Sequence, residues 1–480
     1  MGSTDQNQQD NAPITYAADY KIKFDAFEFK NLDKMEIEKS INNHTRVSIK
    51  GIISEDNLSG YERYLEKEDP KLVITYNNDD SKVLFKGIIE AYSFGYENYD
   101  YYLNLEAVSY SILLERRRKN RIYQNLGTTY QQAFDILLEA NSEFNLVFAD
   151  NSIGSTELVS EDYPLVLQYK EREWYFIKRF ASYLNQIVVV DDSKDDSETV
   201  NIQLGPHNAP AKELNNIAGA KRKKTGRKNV KFNYYKVNRH AHFRSDKIFE
   251  VGKKVKYKVN NQEDNTLELI IIKNKIYIDK GILYSDLTLL RAEEINVQKV
   301  RRKIPIEGRS FRAEVKKIEK NHTAQVQFID IEDEFDESTA YYYPIDKPYT
   351  NAYFAPEVGD IVDIYFKAKN EKHATLKSSS TDKEEEIENE PTDKLIITPE
   401  GYKIKINNES ILISAKDDKS LVELKEESIK LLSDENTIEM SKDLINLKSK
   451  KGTVAMDKSK TELSFGGKKI EITNSGINLM

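Results

Sequence analysis

The most regular arrangement of apolar and polar positions lies between Lys394 and Met480. Here apolar residues come in pairs separated by one position, and the first members of successive pairs are 7 to 11 residues apart. An alternation with a period of two predicts a strand with one apolar face, and this spacing is typical of short strands joined by turns. The ten pairs are Ile404/Ile406, Ile411/Ile413, Val422/Leu424, Ile429/Leu431, Ile438/Met440, Ile445/Leu447, Val454/Met456, Leu463/Phe465, Ile470/Ile472 and Ile477/Leu479.

A single chain of such strands has no second layer to cover its apolar face. We therefore expect several copies, most simply three, to wind together so that the pairs point to a common axis. This predicts a triple-stranded intertwined β-helix over residues 394–480, with all of the paired residues along the spike axis. The alternative is a β-solenoid within one chain, but solenoid coils usually run about 20 residues or more. The 15 Lys and 14 Asp or Glu of this segment belong on its outer face and in its turns.

Residues 311–378 predict a compact β unit, because alternation with a period of two recurs at Phe311–Val315, Ala324–Ile329 and Ile361–Phe366. About five strands fit this length, which favours a small barrel of the oligonucleotide-binding (OB) type. Residues 379–393 are polar and rich in acidic residues, which indicates a solvated acidic linker.

Most of residues 14–310 have a strand pattern, whereas two windows have the helical period. One is Tyr130–Ala140, behind a candidate N-cap at Thr128 or Thr129, and the other is Trp174–Leu184. Residues 1–13 are polar, and we expect them to form a disordered tail. The predicted fold class is therefore mainly β: barrel-like modules with small helical inserts, an OB-fold barrel and the C-terminal β-helix.

The chain has 480 residues, a formal net charge of −8 and no cysteine. The lack of cysteine excludes disulfides, thiolate metal sites and cysteine nucleophiles. His240 and His242 have a spacing that could place two imidazoles on one face of a strand, but no third metal ligand is marked. The phosphate-binding, zinc-protease and serine-hydrolase motifs are missing. We therefore expect no catalytic, metal-binding or cofactor-binding residues, no cofactor and no enzyme activity.

Two basic runs, at residues 116–121 and 221–228, stand out against the acidic total. Together with a small barrel they suggest an alternative, a nucleic-acid-binding OB-fold protein, but the net charge opposes it and we expect no nucleic-acid partner. A tail-associated cell-wall hydrolase is a second alternative, and it would need one essential carboxylate. Neither alternative explains the C-terminal repeat.

Three stretches carry a family resemblance. The first contains Arg118, Arg121 and Gln124 before a helix, and the second contains Gln168, Tyr169, Glu171, Trp174 and Arg179. The third contains Pro356, Gly359 and Phe366 within the predicted barrel. In this order they resemble motifs of the VgrG family of contractile injection systems, in which a phage-type tail hub and a needle-like spike are fused in one chain. Asn185 stands where the second motif usually continues to a glycine.

The resemblance implies that residues 14–310 form a phage tail hub-like domain and that the protein is a homotrimer at the tip of an inner tube. There it would adapt a hexameric tube protein to a three-fold spike, contact baseplate proteins and puncture the target cell envelope. No histidine follows His373, so a tip metal bound by this chain's own histidines is excluded. The resemblance therefore implies a separate PAAR-like tip cap. Because the chain ends directly after the last pair, we expect no fused effector.

The polar N-terminal residues lack the apolar core of a secretory signal, and no apolar run approaches the roughly 18 residues of a membrane-spanning helix. We therefore expect synthesis in the cytoplasm and export by another route. Under the family resemblance, that route is assembly into an injection particle or baseplate. Firing would then deliver the protein outside the cell or into the target.

Overall fold

The chain divides into two compact units, Met1–Thr381 and Asp382–Met480. The computed structural model describes residues 22–77, 81–139, 144–192, 200–214, 217–229, 234–258, 266–295, 305–319, 321–346, 356–379, 394–398 and 400–480. The predicted tail at 1–13 and residues 380–393 of the predicted linker lie outside the described residues. Strands dominate both units, which confirms the mainly β fold class. Among the described helices, none has the length and apolar character needed to cross a membrane.

The first lobe of unit 1 is an antiparallel sheet that encloses its own core. Strand β3 shows why it forms, because alternate residues, Val47, Ile49, Gly51 and Ile53, are buried while the residues between them are half-buried. Helix α1 places Leu65 in the same core. The strands are paired in the order β1-β4-β5-β6-β3-β2. Their bounds are β1 (Ile22–Phe24), β2 (Asn31–Ser40), β3 (Arg46–Ile53), β4 (Lys71–Asn77), β5 (Ser81–Glu97) and β6 (Asp100–Ser109), with α1 at Leu58–Leu65.

A mixed insert follows, and both predicted helices are found in it. Thr129 caps the first of these helices: its Oγ1 accepts from the Gln132 backbone N–H (3.3 Å), and its own N–H donates to Gln132 Oε1 (2.8 Å). This reciprocal pair is a capping box. The elements are α2 (Leu113–Arg116), β7 (Arg118–Tyr123), α3 (Tyr130–Glu139), β8 (Phe144–Phe148), α4 (Asn151–Gly154), β9 (Val166–Arg172), α5 (Glu173–Tyr183), β10 (Val188–Asp191) and β11 (Val200–Leu204).

The second lobe continues the sheet of the first. Strand β16 joins the lobes, because residues Thr266–Ile270 pair with β15 and residues Lys273–Tyr277 pair with β2. A register shift between Ile271 and Lys273 separates the two pairings. The sheet then ends in the order β16-β17-β14-β13. The bounds are β12 (Lys212–Glu213), β13 (Ile217–Asn229), β14 (Tyr234–Ser245), β15 (Lys254–Lys258), β16 (Thr266–Asp279) and β17 (Ile282–Arg291).

A five-stranded barrel closes unit 1, and it contains the three predicted strands. Its strands are paired in the order β21-β19-β18-β22-β23, and a parallel bridge between Ile345 and Leu376 brings the two ends together. Its core contains Ile306 and also includes Ile122, Leu165, Leu167 and Tyr169 of the insert. The bounds are β18 (Arg309–Glu319), β19 (Thr323–Phe328), β20 (Glu332–Asp333), β21 (Tyr343–Pro344), β22 (Ile361–Phe366) and β23 (Ala374–Ser379), where β20 lies outside the barrel sheet.

Unit 2 is one antiparallel sheet of eleven strands, in which each strand pairs with its neighbours in sequence. Short turns make this possible: Gly466 and Gly467, both at positive φ, join strands that pair at Phe465 and Lys468. The bounds are β24 (Lys394–Ile397), β25 (Lys403–Ile406), β26 (Ser410–Ser414), β27 (Ser420–Lys425), β28 (Ser428–Ser433), β29 (Asn436–Ser441), β30 (Leu444–Lys448), β31 (Gly452–Asp457), β32 (Lys460–Phe465), β33 (Lys468–Thr473) and β34 (Gly476–Leu479).

Candidate functional site: a buried junction and an apolar sheet face

The first two sequence motifs lie side by side in the folded chain. Strands β7 and β9 pair antiparallel, with Arg121 opposite Gln168. Strand β20, which follows the second barrel strand, pairs parallel with β7 from the other side, with Glu332 opposite Arg121. The resulting three-stranded sheet connects the insert to the barrel. We call this contact the junction; its residues are Arg121, Gln124, Gln168, Glu171 and Arg179 of the insert with Glu332, Asp333 and Tyr343 of the barrel region.

Gln124 is buried, and its side chain makes three hydrogen bonds to the barrel region. Its Nε2 donates to the Val326 carbonyl oxygen (2.9 Å) and to Asp333 Oδ2 (2.7 Å), while its Oε1 accepts from the Tyr343 hydroxyl (3.0 Å). Buried polar groups are costly unless they are hydrogen-bonded. Gln124 and the barrel residues therefore satisfy one another, and separating them would leave several buried groups without partners.

Three of the five cationic side chains in the first basic run contact carboxylates. Arg121 is buried and contacts Glu332 at 2.8 Å, and Lys119 contacts the same carboxylate at 2.7 Å. Arg116 forms a two-point contact with Asp69, at 2.5 and 2.6 Å. Arg118 is exposed. These contacts give the run a structural role and leave less positive charge for phosphate groups.

Arg179 and Glu171 form a buried ion pair at the start of helix α5. The guanidinium donates to both carboxylate oxygens, Nε to Oε1 at 3.2 Å and Nη2 to Oε2 at 2.8 Å. Nη2 also donates to the Leu167 carbonyl (3.1 Å), and the guanidinium lies over the rings of Phe176 and Phe180. Burial alone would lower the pKa of Arg179, but the negative charge of Glu171 outweighs it and raises the pKa. The pair fixes the corner between β9 and α5.

The aromatic residues of the second motif anchor this corner to both neighbouring cores. Trp174 is buried, and its ring lies 4.3 Å from the imidazole of His44 of the first lobe. His44 contacts Ser111 Oγ (2.7 Å), and burial lowers its pKa. On the other side, Tyr169 packs edge-to-face on Phe311 of the barrel (5.2 Å). The insert is therefore held between the first lobe and the barrel.

Asp333 is the junction's one titratable group with a pKa displaced toward neutrality. Its Oδ2 accepts from Gln124 and from the Phe328 backbone N–H (2.9 Å). Burial raises the pKa of Asp333 to about 6, against an ordinary value of 3.8, although these two hydrogen bonds oppose the rise. The junction is therefore expected to respond to pH between about 4 and 6.

The third motif lies within the barrel and is not part of the junction. Gly359 adopts a φ of 96°, and its N–H donates to the Val315 carbonyl (2.8 Å). This left-handed conformation is the one that glycine tolerates best. Pro356 and Phe366 are buried, and Phe366 packs edge-to-face on Phe311 (5.7 Å). Asn185, where the family motif has glycine, also has a positive φ, of 54°.

The apolar residues of unit 2 form two continuous columns on one face of the sheet. Each residue lies opposite a column member on the next strand, and ten strands at about 4.8 Å give each column a length of roughly 43 Å. The first column is Ile404, Ile413, Val422, Leu431, Ile438, Leu447, Val454, Leu463, Ile470 and Leu479; the second is Ile406, Ile411, Leu424, Ile429, Met440, Ile445, Met456, Thr461, Ile472 and Ile477.

Phe465 lies on this face but outside both columns. It lies opposite Gly452 on one neighbouring strand and Lys468 on the other. On strand β32, the position in the second column is occupied by Thr461. The physical reason is the two-residue Gly466–Gly467 turn, which fixes the register of β32 against β33. Phe465 is 65% exposed in the single chain. Phe465 therefore shares the apolar face with the two columns and lies beyond them at the end of its strand.

The two faces of this sheet have opposite character. The column residues are exposed or half-buried in the single chain. Among the exposed ones, the exposed fraction of the residue ranges from 36% for Leu424 to 77% for Leu479. On the other face, Glu423 lies opposite Lys430, and Lys430 opposite Glu439. A contiguous apolar patch of this extent marks an interaction surface, because soluble monomers rarely expose one.

The remaining candidates give no further site. His242 Nδ1 lies 3.2 Å from Thr288 Oγ1, and the side chain of His240 lies outside the described residues. Within the described ranges, no group of three or more potential metal ligands is clustered. The second basic run forms the backbone of β13, but its side chains from Arg222 to Lys228 are outside the described part.

Sequence patterns alone did not reveal the barrel residues of the junction. Glu332, Asp333 and Tyr343 follow Gln124 by about 200 positions, and no local period connects them. One weak signal was available: the acidic cluster from Asp330 to Asp336 is the part of the barrel region that could neutralise the first basic run.

No protein-family model matches this sequence, and no curated protein matches it. Among solved structures, the E. coli c3393 protein, described as a type VI secretion system component similar to T4 bacteriophage tail proteins gp27 and gp5, matches with a TM-score of 0.50. It is 14% identical, and the match covers 75% of this chain and 99% of that chain. The lidded Francisella PdpA-VgrG complex also gives 0.50, at 9% identity, covering 96% of this chain and 79% of that chain.

At these identities the likeness concerns the fold. It covers three quarters of this chain in the first comparison and nearly the whole chain in the second. The motifs of the sequence had predicted the same architecture. The chain therefore has a VgrG-like hub-and-spike fold.

Proposed function

We propose that this protein is the structural spike of a contractile injection system. It acts as a homotrimer at the tip of the inner tube, adapts the hexameric tube to a three-fold spike and punctures the target envelope when the sheath contracts. Baseplate proteins and a PAAR-like tip cap are its further partners. The function is mechanical and involves no enzyme activity or cofactor. The protein is made in the cytoplasm, assembled into the particle or baseplate, and delivered outward on firing.

The observation that carries this proposal is the uncovered apolar face of unit 2. Three copies arranged about a common axis, each presenting this face inward, would bury the columns and leave the Lys and Glu face in water. Within each chain the backbone hydrogen bonds of neighbouring strands are already made. The trimer would therefore gain its stability mainly from side-chain burial, at about 25 cal/mol per Å² of apolar surface.

The buried junction supports the same mechanical function. A protein driven through an envelope has to transmit force along its length. If the hub slid against the following module, that force would not be transmitted. Gln124, Arg179 and their partners place ion pairs and hydrogen bonds in dry surroundings, where each such contact is electrostatically stronger than in water. We propose that the junction rigidly couples the hub, residues 14–310, to the barrel, residues 311–378.

We propose that the barrel is an OB fold that continues through an acidic linker into the spike. The order of the strands across the sheet supports this. When the strands are numbered along the chain, the sheet order is 3-2-1-4-5, and a parallel bridge links the third and fifth strands. In a tail spike such a barrel serves as a spacer. A nucleic-acid-binding role has less support, because Glu332 and Asp69 already pair with the first basic run.

The proposal is tested by placing a charge on each face of the same strand. Ile438→Asp would bring three carboxylates near the shared axis, which is costly in an apolar environment, whereas Thr437→Asp lies on the opposite face of β29. We expect Ile438→Asp to lower the thermal midpoint of the full-length trimer and to promote its dissociation in light scattering, while Thr437→Asp leaves both unchanged. Equal behaviour of the two variants would contradict the inward arrangement.

A further inference from the structure

The tip of the β5–β6 hairpin is an exposed surface that the junction and the spike do not use. Glu97 pairs with Asp100, so Asn98 and Tyr99 form a two-residue turn. Tyr99 is 92% exposed and Tyr96 is 58% exposed. Large aromatic side chains at such positions lose contact with water only when a partner covers them.

The turn holds Tyr99 outward in an unfavourable backbone conformation. Asn98 has a φ of 50° and Tyr99 a φ of 70°. Two-residue hairpin turns of this kind usually place glycine at the second position, because bulky side chains rarely adopt a positive φ. Strain of this kind concentrates at functional positions. The conformation therefore points to a role for the Tyr99 side chain beyond closing the turn.

Carboxylates surround the aromatic side chains at this tip. The Tyr101 hydroxyl donates to Glu55 Oε1 (3.2 Å), and Tyr101 packs on Tyr96 with ring centroids 4.8 Å apart. The neighbouring ring of Tyr102 already lies under the ammonium group of Lys50, at 4.9 Å. Aromatic faces next to carboxylates attract lysine and arginine side chains. We call this surface the acidic aromatic tip; it comprises Asp33, Glu55, Tyr96, Glu97, Tyr99, Asp100, Tyr101 and Tyr102.

The same chain carries a segment of opposite charge at the end of its large sheet. Strand β13 from Lys221 to Asn229 pairs with β14 from Tyr234 to His242. These two stretches contain eight Lys or Arg and no Asp or Glu. Among the described residues, β14 pairs with β17 only from Ala241 onward, so residues 234–240 pair with β13 alone. We call this two-stranded segment the basic ribbon.

We propose that the acidic aromatic tip of one copy binds the basic ribbon of a second copy in the hub. This inference rests on the proposed homotrimer and names a contact that assembles it. In the sheet order, β3, β2, β16 and β17 lie between the β5–β6 hairpin and β14, so the two surfaces belong to different ends of the sheet. A contact between two different surfaces is heterologous, and such contacts form a closed ring when the rotation returns to the first copy.

The test cross-links the two surfaces in the full-length protein. The chain has no cysteine, so introduced thiols react without background. Tyr99→Cys combined with Lys224→Cys is treated with a short bis-maleimide and analysed on a denaturing gel. We expect covalently linked trimers. The matched control combines Lys224→Cys with Tyr163→Cys, an exposed tyrosine of the insert (63%) that lies outside the tip, and should remain monomeric on the gel.

Charge reversal tests whether attraction brings the surfaces together. Glu97→Lys with Asp100→Lys should lower the cross-linking yield about tenfold, and Lys223→Glu with Arg227→Glu in the same chain should restore it. High salt should also lower the yield. A yield that does not exceed that of the control, or one that charge reversal leaves unchanged, overturns the inference.

Light scattering of the same double-cysteine sample separates this inference from the proposed function. A trimer mass without cross-linked trimers on the gel shows that the tip does not meet the ribbon, while the spike function stands. A monomer mass removes the homotrimer itself, and the inference fails with it. A trimer mass with specific cross-links supports both.

Discussion

Replacing Arg179 by methionine isolates the contribution of the buried ion pair at the start of helix α5. Arg179→Met keeps much of the side-chain volume but leaves the Glu171 carboxylate, whose side chain is 8% exposed, without its partner. Breaking a buried pair in this way costs about 3–5 kcal/mol, because a charge stays buried and uncompensated. Lost stacking of the guanidinium on Phe176 and Phe180 adds about 1 kcal/mol. We expect unit 1 to lose about 4–6 kcal/mol of unfolding free energy.

The control is the arginine pair on the surface. Arg116 contacts Asp69 with both terminal nitrogens, but the two side chains are 50% and 38% exposed. Exposed pairs contribute about 0–1 kcal/mol, so Arg116→Met should cost at most about 1 kcal/mol. The two substitutions remove the same group from the same kind of two-point contact. Their difference therefore measures the effect of burial.

The assay uses the one tryptophan of the chain. Trp174 lies on the same helix as Arg179 and is buried against His44, so its fluorescence reports the unfolding of unit 1 in denaturant. Glu171→Gln added to Arg179→Met should recover part of the loss, because it removes the stranded charge. If Arg179→Met costs no more than Arg116→Met, the buried pair does not hold this corner and the argument for a rigid junction loses its main support.

Three further predictions concern the junction and the spike. Gln124→Leu should lower the unfolding free energy by about 3 kcal/mol in the same fluorescence assay, because it leaves the Val326 carbonyl and the Tyr343 hydroxyl without their hydrogen-bond partner. The control Gln131→Leu removes an exposed contact to Asp135 and should lower it by less than about 1 kcal/mol. The raised pKa of Asp333, about 6, adds stability below about pH 4 that disappears as the pH rises through 6. The unfolding free energy of unit 1 should therefore be lower at pH 7 than at pH 4.5. This decrease should be larger in the original protein than in Asp333→Asn, by at most about 3 kcal/mol. Identical pH profiles for the two proteins would contradict this assignment. In the spike, Leu463→Ala should lower the free energy of unfolding by about 2–5 kcal/mol per chain and thereby lower the thermal midpoint of the trimer. Phe465→Ala, outside the columns, should lower both by less. The reverse order would contradict the observed register.

The sequence was most informative where the structure depends on local periods. Alternation with a period of two predicted ten of the eleven strands of unit 2, all except β24, and the three main barrel strands, and the helical period predicted α3 and α5. These patterns are local because each side chain's face follows from its own position along the strand or helix. Helix α1 was missed, since Leu58–Leu65 contains a glycine and only a short apolar stripe.

Register and long-range contacts could not be predicted in the same way. The place of Phe465 beyond the two columns depends on how the Gly466–Gly467 turn aligns two strands, which a count of apolar residues does not specify. The junction joins Gln124 to residues about 200 positions later, so the sequence could mark Gln124 only through family resemblance. The division of β16 between two partners likewise depends on the fold around it.

Trimer formation is tested most directly by the solution mass of the full-length protein, measured by light scattering after size exclusion at low and high salt. A trimeric spike has a mass close to three times the 55.6 kDa of one chain. This mass should persist at high salt, because apolar burial in the spike is not screened by ions. A mass of one chain under both conditions would leave the apolar columns in water, and it would contradict the trimeric spike.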